Sequence, residues 1–286
     1  MSLPAKVLIV GCGDIGRRIL PLLVAHLDVI AITSQRSHCD AIRSAGAMPM
    51  VANLDEPYTL ARLAKFASLI IYLAPPPAEG KRDTRSRHLA TVLSQRCRLV
   101  YVSTSGVYGD CGGVLIDETR KVNPHNWRAV RRVDAEQVWR NWAIRTGSCL
   151  SILRVPGIYA SDRLPVERIK KGVPGLLPEE DVYTNHIHAD DLARLVVKVL
   201  FHGSPNRVYH AVDDSCLLLG DYFDLVADKL GLSRVPRLPR SELKSQVSEM
   251  ALSFMSESRR MRNGRIKREL GFKLLYPDVS INLINL

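Results

Sequence analysis

Five short apolar runs punctuate the first half of the chain, and each is apolar at successive rather than alternate positions. They are Lys6–Val10, Asp28–Thr33, Ser68–Leu73, Leu99–Ser103 and Cys149–Val155. Runs this short with no polar face predict strands buried on both sides. Between them lie stretches of helical periodicity, such as Leu60-Ala61-Arg62-Leu63-Ala64 and Ala129–Trp142. Strands that alternate with helices predict a parallel sheet covered on both faces, with right-handed crossovers. The expected fold is a doubly wound α/β sheet.

After Tyr159 the rhythm breaks. Ser161–Tyr183 carries Pro165, Gly172, Pro174, Gly175 and Pro178, and reads as irregular turns. A helix follows over Ala189–Phe201, opened by Asp190 and Asp191, acids suited to a first helical turn. Val208–Val212 reads as one more strand, and the tail holds two helical segments around the link Val235-Pro236-Arg237-Leu238-Pro239. This predicts a larger sheet domain, residues 1–160 and 185–212, with a small discontinuous capping domain, 161–184 and 213–286.

Composition narrows the class. With 286 residues, 46% hydrophobic, 24% charged and 6% aromatic, the chain is globular and long enough for a sizeable core. No apolar run approaches the roughly 20 residues of a membrane helix. Met1–Lys6 has no signal-peptide character, so the cytoplasm is the expected address. The six cysteines form no CxxC pair and have no short-range histidine partner, which predicts reduced thiols rather than a zinc site or disulfide framework. Net charge is +11, and from Ser233 onward eleven Lys/Arg stand against five Asp/Glu. Basic and apolar residues alternate there, as in Arg262-Asn263-Gly264-Arg265-Ile266-Lys267, which predicts a solvated helix face. No stacking aromatics or nucleic-acid module accompany the charge, so a small-molecule ligand is expected, without nucleic acid or membrane.

The first strand runs directly into Gly11-Cys12-Gly13-Asp14-Ile15-Gly16, a GxGxxG turn opening a helix. The first glycine permits the tight turn, the second lets backbone approach a pyrophosphate, and the third allows close packing. The helix N-terminus adds amide donors and a positive dipole end. In this strand-to-helix context the motif predicts dinucleotide binding. Pro21 predicts a short or kinked first helix. The second strand ends Ile32-Thr33-Ser34-Gln35-Arg36-Ser37, with no acid for a free ribose 2′-hydroxyl. Arg36, with Ser34 or Ser37, suits a 2′-phosphate, so NADP(H) is expected over NAD(H).

Several further segments together resemble the short-chain dehydrogenase/reductase superfamily, in its extended branch of NAD(P)-dependent sugar epimerases and dehydratases. Asn53-Leu54 stands where that family usually has Asp-Leu beside the adenine. Leu73-Ala74-Pro75-Pro76 follows the fourth strand. Ser103-Thr104-Ser105-Gly106-Val107-Tyr108-Gly109 is similar to the family's S-[ST]-x-x-V-Y-G. Leu153-Arg154-Val155-Pro156-Gly157-Ile158-Tyr159, Ile187–Ala193 and Arg260–Pro277 complete a resemblance spanning nearly the whole chain. It implies a Rossmann-type fold, with Asn53, Leu54, Ala74, Pro75, Ser103 and Pro156 joining the glycine turn at the cofactor. It also implies a Tyr-x-x-x-Lys pair on the helix after strand five. Anchored on Ala135-Glu136, Arg128 takes the tyrosine position and Arg132 the lysine position; a one-residue shift gives Trp127 and Arg131. Neither register supplies a tyrosine, and arginine is no general base. Thr104 matches the Ser/Thr that hydrogen-bonds the reacting oxygen, so Thr104, Arg128 and Arg132 are the expected catalytic-site residues. Tyr108 and Tyr159 are the nearest candidates for a substitute acid.

Two other patterns are weaker. His186-x-His188-x-x-Asp191 has metal-ligand residue types but matches the family's turn before a helix, so no metal is expected. Glu79–Thr84 lacks the first glycine of a P-loop. The readings left are an atypical oxidoreductase or epimerase-like enzyme acting on a hydroxy or keto compound, and a catalytically silent NADP(H)-binding regulator.

Overall fold

Seven parallel strands form one sheet in the computed structural model, which describes residues 6–65 and 68–284. They are β1 (Lys6–Val10), β2 (Asp28–Thr33), β3 (Met48–Val51), β4 (Leu69–Tyr72), β5 (Arg98–Thr104), β6 (Cys149–Val155) and β7 (Arg207–His210). Their order across the sheet is β7-β6-β5-β4-β1-β2-β3. All five expected runs are strands, and Val208–Val212 contributes β7. The strand the apolar pattern missed is β3, which contains Pro49 and sits at the sheet edge, where proline is tolerated. Met1–Ala5, the segment without signal character, lies outside the described residues.

The absence of a polar strand face has a direct cause. Val7 and Ile9 of β1 pack on one side with Ile19, Leu20 and Leu23 of helix α1 (Asp14–Leu23), with Ile42 of α2 (Cys39–Ser44) and with the later helix over Ala189–His202. Leu8 and Val10 pack on the other side with Leu89, Ala90, Trp139 and Trp142. The first two of those belong to α3 (Thr84–Val92) and the last two to α4 (Trp127–Thr146). Two layers of helix therefore bury both faces of one sheet. Helix α1 is short and stops two residues beyond Pro21. The Leu60–Ala64 periodicity forms a 3-10 helix over Pro57–Lys65 rather than an α-helix.

The chain passes β1, β2 and β3 outward in one direction, then crosses to β4 and runs the other way. The carboxyl ends of β1 and β4 thus bracket the crevice where open α/β sheets bind ligands. Beyond β6, the short strand Gly157–Tyr159, helix α5 (Val166–Lys170), helix α6 (Ala189–His202) and helix α7 (Leu219–Lys229) follow. Tyr159, Ile169, Tyr222, Phe223 and Val226 gather in a separate apolar cluster, while Ile266, Leu270 and Phe272 return to the main core.

The basic tail is not simply a solvated face. Arg262, Lys267 and Arg268 are exposed, but Arg265 turns inward to the Val208 carbonyl and Glu118. Arg237 bonds Asp181 and Asp224, and Arg259 bonds Glu257 and the Gly109 carbonyl. The alternating pattern conceals these roles because most of the acceptors, Glu257 excepted, are supplied by distant segments.

Candidate functional site

The glycine turn closes the end of β1 against β4. Gly11 adopts φ +90°, and a Cβ there would lie 2.7 Å from the Ala74 amide nitrogen. Leu73 and Ala74 donate their N–H groups to the Val10 carbonyl, so the two loops are pinned together. Cys12 is buried and donates its N–H to the Ile32 carbonyl, tying the turn to β2 as well. Gly13 caps α1 with no side-chain bond, and a Cβ added to it would meet nothing within 4 Å. A Cβ at Gly16 would press on Cys12 Sγ at 3.2 Å and the Gly11 carbonyl at 3.4 Å. The third glycine therefore makes room for the turn itself rather than for the sheet.

Asp14, Ile15 and Gly16 form the first turn of α1, where N–H groups have no partner within the helix. Ile15 packs its side chain on the core. An open cradle, uncapped amides and the positive end of a helix fit a diphosphate.

Other expected cofactor residues reach the same edge of the sheet. Ser34 and Arg36 follow β2 and are exposed, and Arg36 has no ion pair among the described residues. Asn53 follows β3, but its amide donates to Glu56 at 2.9 Å and its carbonyl oxygen accepts from Asp55 N–H, so the side chain organises its own loop. Leu54 is buried, with its carbonyl 2.8 Å from His88 Nδ1. Pro75 is exposed and accepts from Arg85. Pro156 leaves β6 half-buried, just before Gly157–Tyr159.

Thr104 ends β5, and its Oγ1 accepts from Gly106 N–H at 3.2 Å, which leaves the hydroxyl proton available to a ligand. Helix α4 begins at Trp127 after Asn126, whose side chain accepts from Ala129 N–H. Arg128 lies exposed on its first turn. Arg132, one turn on, donates to the Val102 carbonyl at 2.9 Å and to Tyr101 Oη at 3.2 Å. The β4 pairing ends opposite Tyr101, so this arginine bonds a β5 carbonyl one residue past it, in the stretch of β5 that pairs only with β6. Arg131, from the alternative register, is buried and donates to the Gly80 carbonyl instead.

Beneath Thr104 lies a buried polar chain that the sequence did not announce. Ser103 donates to Glu136 at 2.8 Å, and Arg154 forks onto both Glu136 oxygens at 3.1 and 2.8 Å. Burial works to raise the Glu136 pKa, but the hydrogen bond and charge of Arg154 hold it below the ordinary value. Arg154 also donates to Tyr108 Oη at 2.7 Å, which in turn lies 2.6 Å from His210 Nε2. His210 Nδ1 faces the Arg262 carbonyl at 3.0 Å, so Nδ1 carries the proton and Tyr108 donates to Nε2. Burial pushes His210 down to about 3 and Tyr108 up to about 12. Tyr108 is fully enclosed in this network and is no substitute acid. Tyr159 is likewise buried, with its ring against His186 and His188.

The residues of the metal-like pattern have other work. His188 caps α6 by accepting from Asp190 N–H and stacks on Tyr276. Asp191 is fully buried and accepts from Leu275 and Tyr276 N–H, so it fastens the tail rather than serving only the helix dipole. His186 packs at a tilt against the Tyr222 ring, and burial lowers its pKa to about 4.

A seven-stranded parallel sheet with a glycine turn at its switch point is a Rossmann-like α/β fold of the dinucleotide-binding class. Residues 7–211 match the NAD dependent epimerase/dehydratase family, and the chain belongs to that family. A functionally unknown conserved protein from Silicibacter pomeroyi superposes with a TM-score of 0.81 at 28% identity, over 99% of this chain and 98% of that one. A UDP-glucose 4-epimerase from Thermotoga maritima, solved with UDP-glucose, gives 0.77 at 17% identity, over 98% and 96%. A dTDP-glucose 4,6-dehydratase double mutant from Streptomyces venezuelae, solved with NAD, gives 0.76 at 19% identity, over 98% and 94%. No curated protein matches the sequence. No helix among the described residues is long and apolar enough to cross a membrane.

Proposed function

We propose that the chain is an NADP(H)-dependent oxidoreductase of the epimerase/dehydratase type, acting slowly on a small hydroxy or keto compound such as a nucleotide-linked sugar. The observation that carries this reading is one juxtaposition at the sheet edge. The open Gly13 cradle and the Thr104 hydroxyl share the crevice, while α4 offers Arg128 and Arg132 and contains neither tyrosine nor lysine.

Gly11 to Gly16 would seat the diphosphate, Ser34 and Arg36 the 2′-phosphate, and Asn53 and Leu54 the adenine end. Ala74, Pro75 and Pro156 would border the nicotinamide half, whereas Ser103, expected to join them, is buried with its hydroxyl donated to Glu136 and would support the site from beneath. When bound, the nicotinamide supplies the hydride donor or acceptor. Thr104 holds the reacting oxygen by a hydrogen bond, but its hydroxyl is too weak an acid to carry a proton cycle alone. Arg128 and Arg132 stay protonated and act as fixed positive charge beside a developing oxyanion. Residues 161–184 and the part of the tail gathered around Tyr222 and Phe223 would serve as the cap over this crevice, whereas Ile266, Leu270 and Phe272 belong to the sheet domain's core rather than to the cap. The cytoplasm would be the working compartment. The lack of a tyrosine on α4 also favours a second reading, a silent NADP(H)-binding regulator.

Calorimetric titration tests the cofactor assignment. NADPH is expected to bind more tightly than NADH, and Arg36→Asp to erase the difference. Equal affinities in the unmutated protein would overturn it.

A further inference from the structure

The first residue of α1 presents a puzzle. Asp14 places a carboxylate at the rim of a seat built for a diphosphate, where like charge is unfavourable. Two arginines hold it: Arg18 Nε at 3.2 Å on one oxygen and Arg163 Nη1 at 2.7 Å on the other. Arg18 is already shared with Asp162, by two contacts at 2.8 and 2.9 Å, and with Asp190 at 2.8 Å. Three carboxylates and two guanidinium groups therefore meet beside the glycine turn, with a formal charge of one negative.

The two arginines are not equivalent. Arg18 is spread over three carboxylates and lies on α1 itself. Arg163 comes from the turn Ser161–Arg163, which follows the short strand Gly157–Tyr159 at the far side of the crevice. Its side chain is one-third exposed, and Asp14 is its one ion-pair partner among the described residues. A phosphate oxygen seated on the Asp14 and Ile15 amides would lie beside that guanidinium. Arginine's planar fork matches phosphate as well as carboxylate.

We propose that Arg163 is a ligand for the cofactor diphosphate, held over its seat by Asp14 and transferred to phosphate when the dinucleotide arrives. The turn Ser161–Arg163 would then fasten the substrate side of the crevice to the bound cofactor. This rests on the dinucleotide reading of the glycine turn but not on the choice between NADP(H) and NAD(H), because the diphosphate is common to both.

The test uses ADP and adenosine as probes, titrated calorimetrically into the full chain. Arg163→Ala should weaken ADP about tenfold or more, the loss expected for a hydrogen bond between charged groups. Adenosine binding should not change, and Arg163→Lys should recover part of the ADP affinity. Asp14→Asn, which frees Arg163 without removing it, should tighten ADP. Unchanged ADP affinity in Arg163→Ala, or an equal loss for adenosine, would overturn the proposal, as would weaker ADP binding in Asp14→Asn. Failure of the unmutated chain to bind ADP, NADH and NADPH alike would overturn the dinucleotide reading with it. An altered NADPH-to-NADH preference in Arg36→Asp alone bears only on the cofactor choice.

Discussion

The two ends of the crevice are built from different materials. At the β1 end, the seat is backbone: a glycine at φ +90°, another whose missing Cβ leaves open space, and uncapped helix amides. At the β5 end, the corresponding surface is side chains: Thr104 above, Arg128 and Arg132 on α4, and the Ser103–Glu136–Arg154–Tyr108 chain below. A backbone site demands particular residues at fixed spacing, because only glycine fits the turn. A side-chain site can keep its scaffold while its chemistry changes. Here α4 presents a carboxylate, Glu136, and an arginine, Arg132, bonded to β5, with Arg128 on its first turn.

The largest effect expected is at the side-chain end. Glu136→Gln leaves the buried Arg154 without its counter-charge and should cost about 3–5 kcal/mol in denaturant unfolding. A loss below about 1 kcal/mol, the range of an exposed pair, would show that the chain beneath Thr104 is not holding α4. The pH dependence sharpens this. Because the Glu136 pKa is depressed in the folded protein, its contribution is present above the unfolded carboxyl value of about 4.3 and is lost as pH falls through the folded value. The Glu136→Gln protein should therefore show a shallower acid-induced loss of stability than the unmutated chain.

At the backbone end, two glycines should separate fold from binding. Gly11→Ala forces a side chain into positive φ and onto the Ala74 backbone, with an expected cost of about 2 kcal/mol or more and loss of dinucleotide binding. Gly13→Ala meets no protein atom, so stability should change by less than about 1 kcal/mol while dinucleotide binding still collapses. Retained NADPH affinity in Gly13→Ala, measured by nicotinamide fluorescence, would mean the cradle does not hold the phosphates.

Thr104→Val should have only a modest effect on stability. Losing the bond from Gly106 N–H costs about 1 kcal/mol, whereas any activity present should fall sharply. Undiminished activity would remove Thr104 from the reacting oxygen.

The same contrast decides which features are legible in the amino-acid sequence. The apolar runs and the GxGxxG turn are legible because buried strands and tight phosphate turns each require local residue types. Thr104 is legible through its place at the end of a strand motif. The Asp14–Arg18–Arg163 cluster is not, since Arg163 lies 149 residues from Asp14 and the glycine turn that contains Asp14 says nothing of so distant a partner. Nor is the buried function of Asp191, because its acceptor role depends on tail amides more than eighty residues away. Local requirements leave marks in sequence; pairings across the fold do not.

Positioned proton transfer typically contributes about a hundred- to ten-thousandfold in rate, so the proposed lack of it should be large enough to see. The most direct measurement follows the nicotinamide absorbance band of the unmutated protein with NADPH across a broad panel of carbonyls and nucleotide-linked sugars, and with NADP⁺ across the matching alcohols. Saturable cofactor binding is expected with turnover near or below about 0.1 s⁻¹, against a typical enzyme value of about 10 s⁻¹, and further loss in Thr104→Val. Turnover of about 10 s⁻¹ that Thr104→Val leaves unchanged would contradict this expectation.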